Sequence, residues 1–200
     1  MTITTAPRAE APVTLADLVP TFRTSPLVHD AILVVAAAAL TAGAAQVSFN
    51  VPWTPVPYTL QTGAVLLSGT ALGARRGLLA MLLYVAAGAV GVPVFQGAAS
   101  GIGQLLGFTG GYLVGFVVAA WLVGGLAERR WDRSVPYSAA LMILGTAVIY
   151  LIGVPVLAIV TSMPPERAVW SGAAVFVPWD LAKVALAALL LPAAWRLARG

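Results

Sequence analysis

Two charged side chains stand out because they lie inside an otherwise apolar stretch near the end of the chain. Asp180 and Lys183 occur in the run Val177-Pro-Trp-Asp-Leu-Ala-Lys. A charge near the bilayer centre costs at least about 2.5–3.5 kcal/mol on insertion scales, and a separation of three residues places both groups on one helical face. The pair could neutralise itself and only help the helix to pack, or it could exchange its internal partner for a polar ligand. We favour the ligand site, because Pro178 inside a span would free a backbone carbonyl beside the pair.

The elements that must position this pair are six long apolar runs. Hydrophobic residues make up 60% of the chain and charged residues only 9%, which leaves too few polar residues for the exterior of a soluble domain. A bilayer-spanning helix needs roughly 20 apolar residues. We therefore predict an all-α membrane protein, a six-transmembrane-helix bundle with spans at residues 27–49, 58–73, 77–91, 109–127, 135–161 and 172–197. A sixth helix that begins at Gly172 places Asp180 roughly 12 Å along it.

The arginines predict the orientation of the bundle. They gather before the first span, between spans two and three, between spans four and five, and at the end of the chain, whereas the three alternate segments hold only Arg167. Because Lys and Arg accumulate in cytoplasmic loops, we expect both termini in the cytoplasm. Residues 1–26, which lack the layout of a signal peptide, are predicted to be a flexible cytoplasmic arm.

Two of the segments predicted to face outward contain residues that a simple connector between helices would not need. Residues 50–57 contain three prolines, which exclude a helix and predict a stiff, extended loop. Residues 92–108 are rich in glycine and carry Phe95 and Gln96. These segments could merely cap the bundle, or they could form the lid and wall of an outward-facing pocket within reach of Asp180.

Small residues predict close helix packing in two places. Gly107, Gly111, Gly115 and Ala119 recur at four-residue spacing along the fourth span, and a second ladder on the first span includes Ala38 and Ala42. The face on the first span could serve an internal neighbour or a separate membrane protein, and the sequence leaves both open.

Several function classes have no supporting residues. The chain contains no Cys and a single His29, so we expect no metal site, no disulfide and no cofactor. It shows no ATPase motif and no nucleophile–base pair, which argues against an enzyme. A purely structural protein would leave the polar and aromatic groups of the outward segments unexplained. The positive net charge has no basic stripe or aromatic platform to bind nucleic acid.

A set of separated motifs covers about residues 30–195. They are Val51-Pro-Trp-Thr-Pro-Val-Pro-Tyr-Thr-Leu-Gln-Thr, Leu82-Leu-Tyr, Gly91-Val-Pro-Val-Phe, Thr109-Gly-Gly-Tyr-Leu-Val-Gly-Phe and Pro178-Trp-Asp-Leu-Ala-Lys. Together these motifs resemble the BioY family, the biotin-binding S components of energy-coupling-factor (ECF) vitamin transporters.

The resemblance implies what the chain does. Residues 27–200 would form a six-helix domain of the bacterial cytoplasmic membrane that captures biotin from outside. Transport would then use a membrane coupling protein and two cytoplasmic ATPases, with Ala38 and Ala42 as candidates for the docking face. Two alternatives stay open, a solitary biotin carrier that works without the ATPase module and an S component for another vitamin.

The resemblance also implies a set of biotin-binding residues. They are Asp180, Lys183, Tyr112, Gly111, Gly110, Thr109, Gln96, Phe95, Trp53 and Gln61. Gln96 stands near the place where family members commonly carry another polar residue, often Asn. Asp180 can accept from the ureido N–H groups of biotin, and Lys183 can donate either to the ureido carbonyl or to the valerate carboxylate.

Overall fold

Helices dominate the fold, and one β-hairpin interrupts them. The structure, a computed structural model, describes residues 13–20 and 25–198, so Arg8, Arg23, Arg199 and part of the predicted arm lie outside the described residues. In chain order the elements are α1 (Pro26–Gln46), β1 (Ser48–Val51), β2 (Thr54–Thr59), α2 (Gln61–Leu72), α3 (Ala74–Ala89), α4 (Ile102–Leu106), α5 (Gly110–Glu128), α6 (Val135–Thr161), α7 (Pro165–Gly172) and α8 (Val177–Leu197).

Four helical segments of the described chain are long and apolar enough to cross a membrane. They are Pro26–Gln46, Gly110–Glu128, Val135–Thr161 and Pro165–Leu197. The predicted span over 135–161 is confirmed as a helix with the same ends. α2 and α3 have 12 and 16 residues, fewer than the roughly 20 of a full span, so the count of six spans stays a prediction.

α5 lies at the centre of the bundle and is the most buried of the four long segments. A Cβ at Gly111 would lie 2.6 Å from the Val156 Cβ of α6, and a Cβ at Gly115 would lie 3.0 Å from the Ile149 Cα. The glycine ladder predicted on this helix is therefore a packing seam that lets the α5 and α6 backbones approach. Gly107 does not belong to it, because it precedes α5 in an extended conformation.

Residues 48–59 form a two-stranded antiparallel hairpin, where the sequence predicted a stiff loop. Ser48 pairs with Thr59 and Phe49 pairs with Tyr58. In β2, Thr54, Val56 and Tyr58 are buried, while the prolines between them lie on the more exposed face. A ribbon of two strands has only edge strands, and edge strands tolerate proline. The hairpin is fastened to the 3-10 turn that precedes α8, because Tyr58 Oη donates to the Val175 carbonyl at 2.8 Å.

The last long helix begins later than predicted, and this corrects the placement of the charged pair. α7 ends at Gly172, a short 3-10 turn follows at Ala174–Phe176, and α8 begins at Val177. Asp180 therefore lies in the first turn of α8 rather than 12 Å along a helix. Pro178 also lies in this first turn, where a proline displaces no intrahelical hydrogen bond, so the argument that it frees a carbonyl is wrong.

α1 lies at the edge of the bundle and turns one side of its small residues inward. Ala38 is 8% exposed and belongs to the core, and Ala42 is half-buried against it. The small residues that α1 leaves exposed are Ala31, Ala36, Ala39 and Gly43. A docking face centred on Ala38 does not fit this structure, because its methyl group already packs inside the chain.

The end of the bundle that carries most of the arginines, here called the arginine end, comprises residues 13–20, the α2–α3 junction, residues 129–134 and the last turn of α8. Residues 13–20 pack there, with Thr14 and the core residue Ala16 both buried. Arg76 at the start of α3 binds Asp17 and Asp30, each at 2.8 Å. Although part of the predicted arm is thus fastened to the helices, the boundary at residue 26 stays a prediction.

Candidate functional site

The opposite end, here called the hairpin end, comprises the hairpin, residues 90–109, α7 and the first turn of α8. Asp180 is its central charged group and is 6% exposed. Lys183 Nζ donates to Asp180 Oδ1 at 2.9 Å and to Thr62 Oγ1 of α2 at 2.5 Å. Tyr150 Oη of α6 donates to the other carboxylate oxygen, Asp180 Oδ2. The predicted pairing of Asp180 with Lys183 is therefore present, and two further helices complete it.

The helix start favours a carboxylate at this position. The first backbone N–H groups of α8 lack intrahelical acceptors and give that terminus a partial positive charge. Asp180 lies in this turn, so the helix stabilises its charge in addition to Lys183 and Tyr150.

These groups face a cavity of about 690 Å³, a volume that includes its open mouth. The lining comes from β2, α2, residues 95–109, α5, α6, the 3-10 turn at Ala174–Phe176 and α8. It comprises Val56, Pro57, Thr59, Gln61, Thr62, Phe95, Gln96, Gln104, Thr109, Tyr112, Leu113, Phe116, Tyr150, Phe176, Asp180 and Lys183. The cavity thus combines one carboxylate, one ammonium group and several amide and hydroxyl groups with aromatic walls.

Ring packing fixes the aromatic walls. Phe176 packs on Tyr58 with ring centroids 4.4 Å apart, and Tyr112 meets Tyr150 edge to face at 6.4 Å. Tyr112 Oη donates to the Gly172 carbonyl at 2.8 Å, which joins α5 to the end of α7. Such a site suits a ring system that carries hydrogen-bond donors and acceptors on an otherwise apolar body.

A second cavity, of about 830 Å³, lies on the other side of the charged pair. Thr62, Asp180 and Lys183 line both cavities, and apolar residues of α1, α2, α6 and α8 supply most of the remaining lining. The Lys183 stem passes close to Gly63, where a Cβ would lie 3.6 Å from the lysine Cδ. The Asp180–Lys183 pair is therefore part of the wall that separates a mixed polar cavity from an apolar one.

Comparison with known proteins places the chain in a family. The family model described as BioY family matches residues 12–200. The chain belongs to the BioY family. A biotin transporter BioY of Thermotoga maritima is 40% identical over 141 residues, which are 70% of this chain and 82% of the relative. A probable biotin transporter BioY of Pyrococcus horikoshii is 39% identical over 153 residues, which are 76% of this chain and 87% of the relative. Each of these relatives is named as a transporter, not as an enzyme.

A solved structure shares the fold of this chain. A crystal structure described as the S-component for biotin from an ECF-type ABC transporter matches with a TM-score of 0.78. The match covers 88% of this chain and 95% of that chain at 21% identity, so it shows that the two share a fold.

Most of the residues expected from the BioY resemblance lie around the first cavity. Those that line it are Asp180, Lys183, Tyr112, Thr109, Gln96, Phe95 and Gln61. Gly110 and Gly111 are buried in the first turn of α5 but do not line it, and Gly111 faces α6 instead. Trp53 lies in the turn of the hairpin, is 59% exposed and does not line the cavity either. For all the residues expected from the resemblance, a role as a ligand of biotin stays a prediction.

Sequence reasoning missed several lining residues of this BioY chain. Tyr150, Thr62, Gln104 and Phe176 are the principal ones. Tyr150 had one signal, a phenol in the middle of an apolar span, but its partner is 30 residues away on another helix. Thr62 stands beside Gln61, and its contact with Lys183 joins residues 121 apart in sequence. No spacing rule within one helix could connect either pair.

The part of the chain that the structure describes contains no cluster of side chains that could bind a metal ion. No group of three or more His, Cys, Asp or Glu side chains comes together there. Asp180 is surrounded by hydrogen-bond donors instead, as expected of a site for a neutral or anionic organic molecule.

Proposed function

We propose that this chain binds biotin in the cavity at the hairpin end and delivers it across the bacterial cytoplasmic membrane as the S component of an ECF transporter. The observation that carries the proposal is the constellation of Asp180, Lys183, Tyr150 and Thr62, which opens directly into that cavity. Membership of the BioY family and the names of its relatives support the choice of ligand.

The chemistry of biotin matches this constellation. Its ureido ring offers two N–H donors and one carbonyl acceptor, its sulfur-containing ring is apolar, and its side chain ends in a carboxylate. Asp180 accepts from the ureido N–H groups, while Lys183 releases one internal contact to donate to an oxygen of the ligand. The aromatic rings of Tyr112, Phe116 and Phe176 pack against the apolar part.

The proposed orientation places this cavity on the outside of the cell. The described arginines at the arginine end are Arg75, Arg76, Arg129, Arg130, Arg133 and Arg196, whereas the hairpin end carries only Arg167 among the residues described. By the positive-inside tendency the arginine end lies in the cytoplasm, and so do both termini of a bundle with six spans. The cavity then receives biotin from outside.

Titration of the purified protein with biotin tests the binding site. Wild-type protein in detergent should bind one biotin, and Asp180→Asn should weaken binding by about a hundredfold, since it removes a charged hydrogen-bond acceptor and leaves Lys183 without its counter-ion. Asp30→Asn, which alters a carboxylate on α1 paired with Arg76, serves as the matched control and should bind as wild type. A folded wild-type protein that binds no biotin would contradict the ligand, and a screen of other vitamins would follow.

Delivery depends on a membrane coupling protein and two cytoplasmic ATPases in this proposal. We place the docking face on Ala36, Ala39 and Gly43, three exposed small residues of α1, because the methyl group of Ala38 is inside the bundle. The combined change Ala39→Leu and Gly43→Leu should spare biotin binding and abolish uptake in cells that contain the coupling module. Ala86→Leu on the exposed side of α3 is the control.

Uptake in cells without a coupling module distinguishes the second candidate function. A solitary carrier would accumulate biotin there, and the double change on α1 would not affect it. An S component that depends on its partners would bind biotin in both strains but accumulate it only where the module is present.

A further inference from the structure

The segment that brings Phe95 and Gln96 to the cavity is a loop of unusual backbone shape. This segment, residues 92–101, is here called the cavity loop and connects α3 to α4. Gly97 and Ala98 both have positive φ, at 66° and 58°. A left-handed conformation is uncommon for a residue with a side chain, so contacts must hold Ala98 in place.

One group of contacts ties the cavity loop to the helix that precedes it. Gly101 N–H donates to the Gly88 carbonyl at 2.7 Å, and Tyr84 Oη donates to the Val94 carbonyl at 3.3 Å. The Phe95 ring lies edge to face with Tyr84 and occupies the space where a side chain at Gly88 would stand. These contacts all come from α3, so they connect the loop only to the helix that directly precedes it in the chain.

A different contact ties the cavity loop to α1, and it comes from a single side chain. Gln46, the last residue of α1, donates from Nε2 to the Phe95 carbonyl at 3.1 Å and accepts at Oε1 from Ala98 N–H at 2.9 Å. Its Nε2 also donates to the Ala42 carbonyl of its own helix at 3.0 Å. The amide thereby clamps both sides of the left-handed turn, because a carboxamide carries an acceptor oxygen and a donor nitrogen on the same carbon.

We propose that Gln46 is a positioning residue for the cavity: it holds the loop that carries Phe95 and Gln96 against α1 and thereby slows the departure of a bound ligand. The proposal rests on the proposed function, because it takes biotin as the ligand. Gln46 does not line the cavity itself, so it acts on the ligand only through the loop backbone.

Three variants distinguish the effect of the Gln46 hydrogen bonds from the effect of side-chain size. Gln46→Leu keeps the size of the side chain and removes both hydrogen bonds. Gln46→Glu keeps the acceptor for Ala98 N–H but places a carboxylate oxygen against the Phe95 carbonyl. Val47→Ala alters the next residue, whose side chain is 59% exposed, and serves as the matched control.

The first measurement needs no ligand. The chain contains no Cys, so spin labels on Gly43→Cys and Ser100→Cys are specific. A Cβ at Gly43 meets no atom within 4 Å and Ser100 is exposed, so both positions accept a label. The distance between labels should be narrowly distributed in the otherwise unaltered protein and with Val47→Ala. It should broaden with Gln46→Leu and, to a smaller extent, with Gln46→Glu.

The second measurement is the rate at which labelled biotin leaves the purified protein. Loss of two hydrogen bonds on a partly exposed loop should raise the dissociation rate about tenfold in Gln46→Leu, with a smaller change in the association rate. Val47→Ala should leave both rates unchanged. Because the clamp lies outside the cavity, the variants should still bind one biotin per chain.

The outcomes separate failure of the clamp from failure of the proposed function. An unbroadened distance in Gln46→Leu overturns the proposal whether or not the protein binds biotin. Broadening with an unchanged dissociation rate overturns the link between the loop and the ligand. Broadening with faster dissociation, absent in Val47→Ala, supports both. Wild-type protein that binds no biotin contradicts the proposed function and with it this role of Gln46, while the label distances still report whether the loop is clamped.

Discussion

Asp180 at the hairpin end and Asp132 at the arginine end are both buried beside a cation and an aromatic side chain. Asp132 is fully buried, accepts from the Trp195 indole N–H and pairs with Arg133 at 3.2 Å. The Arg133 guanidinium stacks 3.2 Å from the centre of the Trp195 ring, and it also donates to the Val13 carbonyl. Neither of the two cavities is lined by Asp132.

The difference lies in what each carboxylate faces. Asp180 is held by Lys183, whose flexible stem can move its ammonium group, and by Tyr150 at the edge of an open space. Asp132 is held by a planar guanidinium that stacks on an indole, and it lines neither cavity. Burial and charge alone therefore do not mark a binding site; an adjacent cavity and an exchangeable partner do.

Removal of the charge at Asp132 should have the largest effect, and it should fall on stability. Asp132→Asn removes the charge of a fully buried carboxylate that pairs with Arg133 and accepts from Trp195, so the free energy of unfolding should drop by about 3 kcal/mol. Biotin affinity should stay within about twofold of wild type. Thermal unfolding in detergent together with a biotin titration checks both. If this variant lost biotin binding while it remained folded, the two ends would not be functionally separate.

Tyr150→Phe should have the next largest effect, and it should fall on binding. The variant removes the hydroxyl that donates to Asp180 Oδ2, so the carboxylate is less well held and the biotin dissociation constant should rise about tenfold. Tyr137→Phe removes an exposed phenol from the same helix and should leave the constant unchanged. An unchanged affinity in Tyr150→Phe would remove α6 from the site.

The attachment of residues 13–20 to the helices should depend on pH, which is a smaller effect and is confined to the arginine end. Burial alone would raise the pKa of Asp17, but hydrogen bonds from Arg76 and Thr14 outweigh it and lower that pKa below its usual range. Because the pKa of Asp17 is lower in the folded state, its ionised carboxylate stabilises the attachment at pH values above the pKa it has in the unfolded chain. This stabilisation is lost as the pH falls through the pKa of the folded state.

The attachment of residues 13–20 should therefore loosen only below about pH 4. A fluorophore on Leu18→Cys should report a step there that Asp17→Asn abolishes. A step of equal size in Asp17→Asn would assign the transition to another group.

Trp53→Ala should have the smallest effect on binding. The side chain stands in the hairpin turn, largely exposed and away from the cavity, so the biotin dissociation constant should change by less than about twofold. A tenfold loss in titration would mean that the hairpin turn moves over the cavity when biotin is bound, and it would restore Trp53 to the site.

Regular apolar runs explain which parts of this fold could be predicted from sequence. The helix over 135–161 was predicted with its observed ends, because residues 135–161 contain no charged residue and the links on both sides of them do. The start of α8 was placed five residues too early, since residues 172–179 are all apolar. Only the packing of α7 and the turn at Ala174–Phe176 reveals the break.

For the Asp180–Lys183 pair, too, one part could be predicted from the sequence and another part only from the tertiary structure. The sequence by itself determined that Asp180 and Lys183 are neighbours, because three residues on a helix bring side chains to one face. It also determined the membrane character of the chain, since an apolar composition leaves no polar exterior.

Only the tertiary structure decided that Tyr150 and Thr62 complete the site, that Gly111 and Ala38 face inward, and that Gln46 clamps the cavity loop. Each of these depends on how helices far apart in sequence are rotated about their axes. That rotation is set by the close packing of many small side chains at once. No local pattern of residues contains it.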